Sequence, residues 1–441
     1  MSKPLVAIVG RPNVGKSTFF NRAIGQRLAI VEDVPGTTRD RLYGDTEWNG
    51  LTFTLIDTGG LVLGEADDLT AQVRAQAEVA IAEADAIIFI TDVLDGLVPA
   101  DHDIAGVLRR TRKPVILAAN KADNAERRAH ALEFYELGLG EVYPVSSLHG
   151  TGVAEVLDAV VAALPKVAEE EMPEGVRIAI VGRPNVGKSM LLNRILGQER
   201  AIVSEIPGTT RDALDTPLTW KGQPVVLVDT AGIRKRGAID RGVERYSVLR
   251  ALKAINRADV VLLLIDAIEG ITAQDAHIAG YILEDYKSLV LVVNKWDAVK
   301  KEAHTMEEFT TRIREQLRFM PWVPILYVSA LTGLRVSEVM DTALRVREQR
   351  FQRIPTGELN ELVADAIARH APPSKAGKRL AFYYATQPEV DPPTIVFFVN
   401  DARLVHFSYQ RYLENRIRER WGFEGTPLVL RFRGREKRKR R

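Results

Sequence analysis

The chain has 441 residues, of which 46% are apolar and 27% charged, and these proportions exclude a disordered or collagen-like protein. It contains no cysteine, which excludes disulfides and thiolate metal sites, and its apolar runs, such as Val260 to Ile265, are too short to cross a bilayer. The opening residues MSKPLVAIVG lack the long apolar segment of a signal peptide, so a cytoplasmic protein is expected. The length suggests about three domains.

The first part of the chain is repeated in the second. The octapeptide GRPNVGKS at positions 10–17 returns at positions 182–189, and four further segments recur in the same order. A repeat unit this long indicates two duplicated domains and excludes a solenoid. The recurring segments are PGTTRD (35–40 and 207–212), DTGG and DTAG (57–60 and 229–232), NKAD and NKWD (120–123 and 294–297), and Ser146-Ser147 with Ser329-Ala330.

Each unit alternates short β-branched runs with longer amphipathic patterns. In the first unit, residues 4–9, 53–57, 86–92 and 114–120 are predicted strands, and Thr70 to Glu83 and Val153 to Leu164 are predicted helices. The alternation predicts an α/β fold in each unit, with a mostly parallel sheet and helices on both faces. The predicted domains are a first domain at 1–164, an acidic linker at 165–175, a second domain at 176–350, a smaller α+β domain at 351–432 and a basic tail at 433–441.

The C-terminal part of the chain differs from the two repeats in charge. Residues 351–441 carry 18 Lys and Arg against 10 Asp and Glu, a net charge of +8, whereas the first 350 residues carry −6. The pattern predicts a helix at 358–369, strands at 380–386 and 394–399, a helix at 408–420 and a strand at 428–432. A basic module on a mildly acidic body is typical of a surface that meets a polyanion.

The segment GxxxxGKS after a strand and before a helix is typical of a phosphate-binding loop. Its backbone amides and the helix N-terminus point at the phosphates. Lys16 and Lys188 are expected to reach the β- and γ-phosphate oxygens, and Ser17 and Ser189 each to bind Mg²⁺. The remaining loop residues expected at the nucleotide are Gly10, Arg11, Pro12, Asn13, Val14 and Gly15, with Gly182, Arg183, Pro184, Asn185, Val186 and Gly187.

Two further segments predict metal and γ-phosphate contacts. Asp57 and Asp229 each end an apolar strand, where a carboxylate can bind Mg²⁺ through water. Thr38 and Thr210 of PGTTRD are the first choice for the contact with Mg²⁺ and γ-phosphate, with Thr37 and Thr209 as close alternatives. The residues after the aspartates complete this expected site: Thr58, Gly59, Gly60 and Leu61 in the first unit, and Thr230, Ala231, Gly232 and Ile233 in the second.

The segment Asn-Lys-x-Asp predicts the base. A carboxylate accepts hydrogen bonds from N1–H and the 2-amino group of guanine, and adenine offers neither donor. Guanine recognition is therefore assigned to Asp123 and Asp297. Asn120 and Asn294 are expected to bond the base and tie neighbouring loops, Lys121 and Lys295 to lie along it, and Ser146, Ser147, Ser329 and Ala330 to close over its oxygen.

The residue after Asp-x-x-Gly is hydrophobic in both units. Leu61 and Ile233 stand where Ras-like enzymes carry the glutamine that orients water. Slow intrinsic hydrolysis is expected, or a different charge-stabilising element. One candidate is a monovalent cation such as K⁺ held by Asn13 or Asn185; the alternative is that these asparagines only brace the loop.

With these motifs the chain resembles the EngA (Der) family of bacterial tandem GTPases, in the TrmE–Era–EngA group. The resemblance spans essentially the full length, and it implies a C-terminal KH-like domain, GTP hydrolysis stimulated by potassium, and a role in assembly of the large (50S) ribosomal subunit. A monomer that binds rRNA and no membrane is expected. Two alternatives remain: a metabolic phosphotransfer enzyme, and a nucleotide-regulated RNA-binding scaffold in which one domain hydrolyses weakly or not at all.

Two interpretations of the C-terminal domain also remain open. In one, it binds rRNA through basic residues and the tail; in the other, it docks on the repeated domains. Its one GxxG match, at residues 422–425, lies between a helix and a strand and is interpreted as a turn. The region after DTAG in the second unit is basic, whereas the equivalent region of the first unit is acidic to neutral, so the two regions are expected to meet different surfaces. The basic residues are Arg234, Lys235, Arg236, Arg241, Arg245 and Arg250.

Overall fold

A computed structural model describes most of the chain. The described residues are 3–25, 43–58, 78, 81–82, 84–164, 175–199, 201–203, 215–230, 233, 244–300, 302, 304–372, 374–375 and 378–434. The chain divides into two compact units, Met1–Glu171 with Asp240–Lys253, and Met172–Ile239 with Ala254–Arg441. The helix predicted at 70–83, the linker and the basic tail fall largely outside the described part. In that part, no helix has both the length and the apolarity to cross a membrane.

The first domain is an α/β fold around a six-stranded sheet. The strand order is β2-β3-β1-β4-β5-β6, and every pairing is parallel except that of β2 with β3. Its elements are β1 (Leu5–Val9), α1 (Lys16–Ile24), β2 (Tyr43–Trp48), β3 (Leu51–Asp57), β4 (Ala86–Asp92), α2 (Pro99–Leu108), β5 (Val115–Asn120), α3 (Ala125–His130), a 3₁₀ helix (Ala131–Leu137), β6 (Val142–Pro144) and α4 (Val153–Ala163).

The second domain repeats this architecture and adds one antiparallel edge strand. Its sheet has the order β13-β12-β11-β7-β10-β9-β8. The elements are β7 (Val176–Val181), α5 (Lys188–Leu196), β8 (Ala201–Val203), β9 (Thr216–Trp220), β10 (Gln223–Val228), α6 (Glu244–Arg257), β11 (Val260–Asp266), α7 (Ala273–Glu284), β12 (Ser288–Asn294), a 3₁₀ helix (Trp296–Ala298), α8 (Thr305–Gln316), β13 (Ile325–Tyr327) and α9 (Val336–Arg350).

The sequence explains why these strands lie at the centre. All seven residues of β4, of β11 and of β12 are buried, as expected for parallel strands covered on both faces. The predicted α/β fold of both domains is thereby confirmed. Because β1, β3, β4 and β5 run in the same direction, their carboxyl ends meet at one edge of the sheet, the usual ligand-binding edge of such folds.

The C-terminal domain has the predicted α-β-β-α-β order with one addition. Its sheet pairs β16 with β17 antiparallel and β17 with β18 parallel, and the helices pack on one face. The sequence did not predict the short β14–β15 hairpin. The elements are α10 (Thr356–Arg369), β14 (Ser374–Lys375), β15 (Lys378–Arg379), β16 (Phe382–Val390), β17 (Pro393–Val399), a 3₁₀ helix (Ala402–Leu404), α11 (Phe407–Trp421) and β18 (Val429–Gly434).

The GxxG segment of this domain, Gly422–Gly425, forms a turn that docks on the second domain. The Gly425 N–H donates to the Trp322 carbonyl at 3.0 Å, and the Leu289 N–H donates to the Gly425 carbonyl at 2.7 Å. Leu289 belongs to β12, so the turn extends the hydrogen bonding of that strand. The GxxG segment therefore serves as an internal contact.

Gly425 is required at this contact by its backbone and by its surroundings. Its φ is +65°, and a Cβ there would lie 2.6 Å from the Val346 side chain and 2.8 Å from the Leu289 carbonyl. An L-residue in this conformation costs about 1–2 kcal/mol, and overpacking adds about 1–3 kcal/mol. Gly222 has φ +85°, and no heavy atom lies within 4 Å of the point where its Cβ would be. An alanine there would therefore have the cost of the positive φ without a clash.

We therefore expect Gly425→Ala to lower the free energy of unfolding by about 1–3 kcal/mol more than the matched control Gly222→Ala, because only the first adds a clash. Urea unfolding followed by tryptophan fluorescence measures both variants. Equal losses would contradict the tight docking of this turn.

Candidate nucleotide-binding sites

The predicted site residues of the first domain that the structure describes gather at the carboxyl edge of its sheet. The loop 10–17 joins β1 to α1, Asp57 ends β3, and Asn120 ends β5. The second domain places loop 182–189 and Asn294 in the same way, after β7 and at the end of β12, while Asp229 directly follows β10. Matching residues of the two sequence repeats therefore occupy equivalent places in the two domains.

Both phosphate loops have the same backbone and hold their lysines in the same way. Lys16 Nζ donates to the carbonyls of Gly10 at 2.8 Å and Arg11 at 2.6 Å, and Lys188 makes the equivalent two bonds. The loops are anchored by Val14 and Val186, whose side chains are buried in the cores. An ammonium group folded over its own loop is in place to exchange carbonyl oxygens for phosphate oxygens.

A buried asparagine joins three loops at each site. Asn120 Nδ2 donates to the Val14 carbonyl at 2.7 Å, and its Oδ1 accepts from the Ser147 N–H at 2.9 Å. Asn294 does the same between Val186 and Ala330, at 2.8 and 2.9 Å. The asparagine thus ties the phosphate loop to the loop predicted to close over the base, as expected from the sequence.

Gly15 and Gly187 allow each phosphate loop to lie close to its asparagine. A Cβ on Gly15 would collide with Asn120 Nδ2, and one on Gly187 would collide with Asn294 Nδ2. Any side chain at either glycine would therefore push the asparagine off the loop. This is why the second glycine of the GxxxxGKS pattern is needed here.

The lysines of the Asn-Lys-x-Asp segments are held by acidic residues that the sequence reading missed. Lys121 pairs with the buried Asp92, and Lys295 Nζ lies 2.6 Å from Asp266 Oδ2. Burial is the largest single influence and raises the pKa of Asp266, but the hydrogen bonds from Lys295 and the backbone, together with the Lys295 charge, outweigh it and the pKa is lowered. Asp92 ends β4 and Asp266 ends β11, which are matching strands of the two domains. Comparison of the two repeats could therefore have revealed both aspartates.

The two aspartates predicted to recognise the base differ in their surroundings. In the first domain, Asp123 accepts from Ser146 Oγ at 2.6 Å and from Arg127 at 2.8 Å. Asp297 is exposed and makes no side-chain hydrogen bond or ion pair with another residue that the structure describes. Within the described ranges, its carboxylate is therefore the less constrained of the two by side-chain contacts.

Ser17 and Asp57 form a pair suited to Mg²⁺. Ser17 Oγ donates to Asp57 Oδ2 at 2.5 Å, so two oxygen ligands of the type that Mg²⁺ prefers converge on one point. Within the described ranges no group of three or more acidic, histidine or cysteine side chains could hold a metal ion. The donor set fits an ion that takes its other ligands from phosphate and water.

The second domain arranges the equivalent residues differently. Ser189 Oγ donates to the Ile233 carbonyl at 2.8 Å, where Ser17 bonds its aspartate. Asp229 has a positive φ of 56°, and its N–H donates to Asp215 Oδ1, while Arg257 donates to Asp215 Oδ2. The hydroxyl hydrogen of Ser189 is thus held by a backbone carbonyl, whereas that of Ser17 is held by the aspartate assigned to Mg²⁺.

The structure gives the threonines after these aspartates a structural role. Thr58 Oγ1 donates to the Ile8 carbonyl at 2.6 Å, and Thr230 shares a hydrogen bond with Thr216. Both are buried. Several predicted residues lie outside the described part, and their roles stay predictions: Thr37, Thr38, Gly59, Gly60, Leu61, Thr209, Thr210, Ala231 and Gly232.

An arginine–aspartate pair, which was not predicted from the sequence, braces each phosphate loop. Arg11 Nε donates to Asp101 Oδ1 at 2.9 Å, and Arg183 Nε donates to Asp275 Oδ2 at 2.9 Å. Asp101 and Asp275 are buried in the first turns of α2 and α7. Each arginine therefore braces its loop against the helix that follows β4 or β11. The two aspartates occupy matching positions of the repeat, which could have revealed them.

Comparison with known proteins agrees with this geometry. A family profile described as "50S ribosome-binding GTPase" matches residues 5–121 and again 177–295. Another, described as "KH-domain-like of EngA bacterial GTPase enzymes, C-terminal", matches residues 353–433. With the fold and the duplicated sites, these matches define a P-loop GTPase with two G domains and a KH-like domain.

Full-length relatives narrow the class to one family. GTPase Der of Chloroflexus aggregans is 57% identical, with 100% of both chains covered. GTPase Der of Thermomicrobium roseum is 58% identical over 99% of this chain and 97% of its own, and that of Geobacillus kaustophilus is 54% identical over 98% and 99%. The chain belongs to the GTPase Der (EngA) family, and it binds and hydrolyses GTP.

The buried Lys16 generates a pH prediction. Burial lowers its pKa to about 8, although Asp57 opposes this shift. Bound phosphates favour the charged ammonium and raise the pKa. Near pH 8.5 GDP binding at the first site should therefore take up a proton, and affinity should fall as the pH rises through 8.

Calorimetric titration of GDP into Lys188→Ala, which isolates the first site, measures this uptake in two buffers of different ionisation enthalpy. The phosphate pKa near 6 does not interfere at this pH. Identical heats in both buffers at pH 8.5 would show that Lys16 does not change its charge.

Proposed function

We propose that this protein binds and hydrolyses GTP at two nonequivalent sites and acts in ribosome biogenesis, in assembly of the large (50S) ribosomal subunit. The observation that supports it most is that each G domain joins its phosphate loop to its guanine loop through one buried asparagine. The printed description of the matched profile and the Der relatives support the ribosomal role. The basic C-terminal domain, with +8 over residues 351–441, suits a partner rich in phosphate.

The chain's own groups would share the hydrolysis as follows. Lys16 and Lys188 neutralise charge on the β- and γ-phosphates, and the loop amides orient them. Ser17 with Asp57, and Ser189 with Asp229, would hold Mg²⁺, which stabilises charge on the transferred phosphoryl group when bound. Thr38 and Thr210 would complete the contact, with Thr37 and Thr209 as alternatives.

Neither Leu61 nor Ile233 has a side chain that can position water by a hydrogen bond. Ile233 has no polar atom in its side chain, and it packs against the hydrophobic core of the second domain. A glutamine-like role is therefore excluded for it. The alternatives are slow intrinsic hydrolysis and another group that stabilises charge in the transition state, for which a bound monovalent cation is the candidate.

We propose Asn13 and Asn185 as ligands of that cation. Both adopt φ 64° at the same place in the two loops, both are exposed, and neither side chain hydrogen-bonds to another described residue. An amide oxygen held free beside the phosphates is a suitable ligand for K⁺. Asparagine also tolerates positive φ, so a bracing role alone would need only the backbone.

The asymmetry at Ser189 favours a second candidate function. With the Ile233 carbonyl bonded to Ser189, the second domain would turn over more slowly or serve as a binding switch. The protein would then act as a nucleotide-regulated RNA-binding scaffold with one weakly catalytic domain. The hydrolysis rates of Lys16→Ala and Lys188→Ala, each of which leaves one site intact, distinguish the two functions in the following experiment.

We expect GTP hydrolysis to be faster in KCl than in NaCl at equal ionic strength, because the larger ion fits a site of amide and phosphate oxygens. Asn13→Ala with Lys188→Ala, and Asn185→Ala with Lys16→Ala, should each lose the K⁺ preference of their remaining site. Phosphate release assays measure the rates, with Asn21→Ala as the control. Equal rates in KCl and NaCl for Lys16→Ala alone and for Lys188→Ala alone would exclude the cation site.

The ribosomal role predicts nucleotide-dependent binding to the large subunit. The chain should co-sediment with 50S subunits more strongly with a GTP analogue than with GDP, and the binding should weaken as salt rises. Small (30S) subunits under identical conditions are the control. Equal binding to both subunits in all nucleotide states would contradict a specific role in large-subunit assembly.

A further inference from the structure

The sheet of the C-terminal domain presents one face to its helices and leaves part of the other exposed. The core side includes Phe397, Phe432 and Ile395, which contact the hydrophobic cluster of α10 and α11. On the opposite side, the strand register places Tyr384, Phe398 and Arg433 directly beside one another across β16, β17 and β18. We call this row, with Arg431, the open sheet face.

The two rings of this face are already arranged as a stacking surface. The ring centroids of Tyr384 and Phe398 lie 4.2 Å apart with an interplanar angle of 11°. Tyr384 is 49% exposed and its neighbour Tyr383 is 56% exposed. The two parallel rings, of which Tyr384 is half exposed, therefore present a flat surface on which another ring can stack.

The charged residues beside the rings are two exposed arginines. Arg431 and Arg433 are exposed, and neither guanidinium has a hydrogen bond or an ion pair with another residue among those described. The acidic residue nearest along β16, Glu389, accepts a hydrogen bond from Thr394 and lies well beyond Tyr384 on the strand. Rings flanked by free arginines match a polyanion that also has flat faces, which is the chemistry of unpaired nucleic acid.

The basic residues of α11 are mostly engaged inside the protein. Arg416 pairs with Asp365 and Glu419, and Arg418 pairs with Glu414 and lies over the Trp322 ring. Arg420 pairs with Glu358. Of the four arginines of α11, Arg411 alone lacks a side-chain partner within the described ranges. The helix side is therefore a weaker polyanion surface than the open sheet face.

The GxxG turn is also occupied. Gly425 bonds Trp322 and Leu289 through its backbone, and the Phe423 N–H donates to Gln349 Oε1 at 3.1 Å. Clamping of a nucleic-acid backbone by this turn would require the C-terminal domain to leave the second G domain. The open sheet face is free of that requirement.

We propose that the open sheet face binds unpaired RNA, with a base stacking on Tyr384 and the Arg433 and Arg431 guanidinium groups contacting the flanking phosphates. This inference rests on the proposed ribosomal role and specifies the surface and the RNA class. It differs from clamping by a GxxG loop, because the bases lie on the strands.

Fluorescence anisotropy of the full chain with a labelled single-stranded RNA decamer, and with a duplex of the same length, tests the stacking. Loss of one stacking ring weakens binding by about tenfold, within the range measured for base–aromatic contacts. Tyr384→Leu should therefore bind the single strand about tenfold more weakly, and Tyr384→Phe should stay within twofold of the parent. Tyr135→Leu is the matched control, because Tyr135 is also 49% exposed but lies in the first domain.

A second pair of variants separates the two faces of the domain. Arg433→Gln should weaken binding and reduce the slope of log affinity against log salt by about 1, because one phosphate contact is lost. Arg411→Gln removes the same charge from the helix side and should leave affinity within twofold. The reverse result would move the RNA site to α11 and overturn the proposal.

Thermal unfolding of each variant shows whether a loss of binding comes from misfolding. No binding of the decamer by the parent chain, or equal affinity of Tyr384→Leu and the parent, would overturn the proposal. If Tyr384→Leu binds RNA normally but co-sediments poorly with 50S subunits, the face binds a ribosomal protein, which also overturns it. Absence of 50S binding by the parent would instead refute the proposed function.

Discussion

The structure of each nucleotide site depends on one buried amide. Asn120 and Asn294 end the strands β5 and β12, and each satisfies a carbonyl of the phosphate loop and an amide of the base loop at once. A buried polar group costs free energy unless it is paired, so this geometry holds only when three loops meet. The phosphate loop and the loop predicted to close over the base are thereby joined by a single side chain at the carboxyl edge of the sheet.

The same frame supports two sites that have diverged. The first pairs Ser17 with Asp57, whereas the second bonds Ser189 to the Ile233 carbonyl and holds Asp229 at positive φ. The second domain also carries the C-terminal domain on the start of β12, the strand whose far end is Asn294. The contact with the C-terminal domain and Asn294 thus share one strand, which gives the second site a structural route to the C-terminal domain.

The sequence predicted the fold and the location of the sites because their signals are local. Buried strands, glycine-rich loops and the internal repeat are visible without any contact map. The partners Asp92, Asp101 and Asp215 were missed because each lies far along the chain from the residue it bonds. The open sheet face was missed for the same reason, since Tyr384, Phe398 and Arg433 become neighbours only through strand register.

The measurement that tests two separate guanine sites most directly is a count of bound nucleotides in base-switch variants. The parent chain should bind two GDP and no xanthosine diphosphate, whereas Asp123→Asn and Asp297→Asn should each bind one of each, because an amide in place of the carboxylate pairs with the xanthine carbonyl. Asp103→Asn, an exposed change on α2, should behave like the parent. One GDP in the parent, or two in either switch variant, would contradict the account.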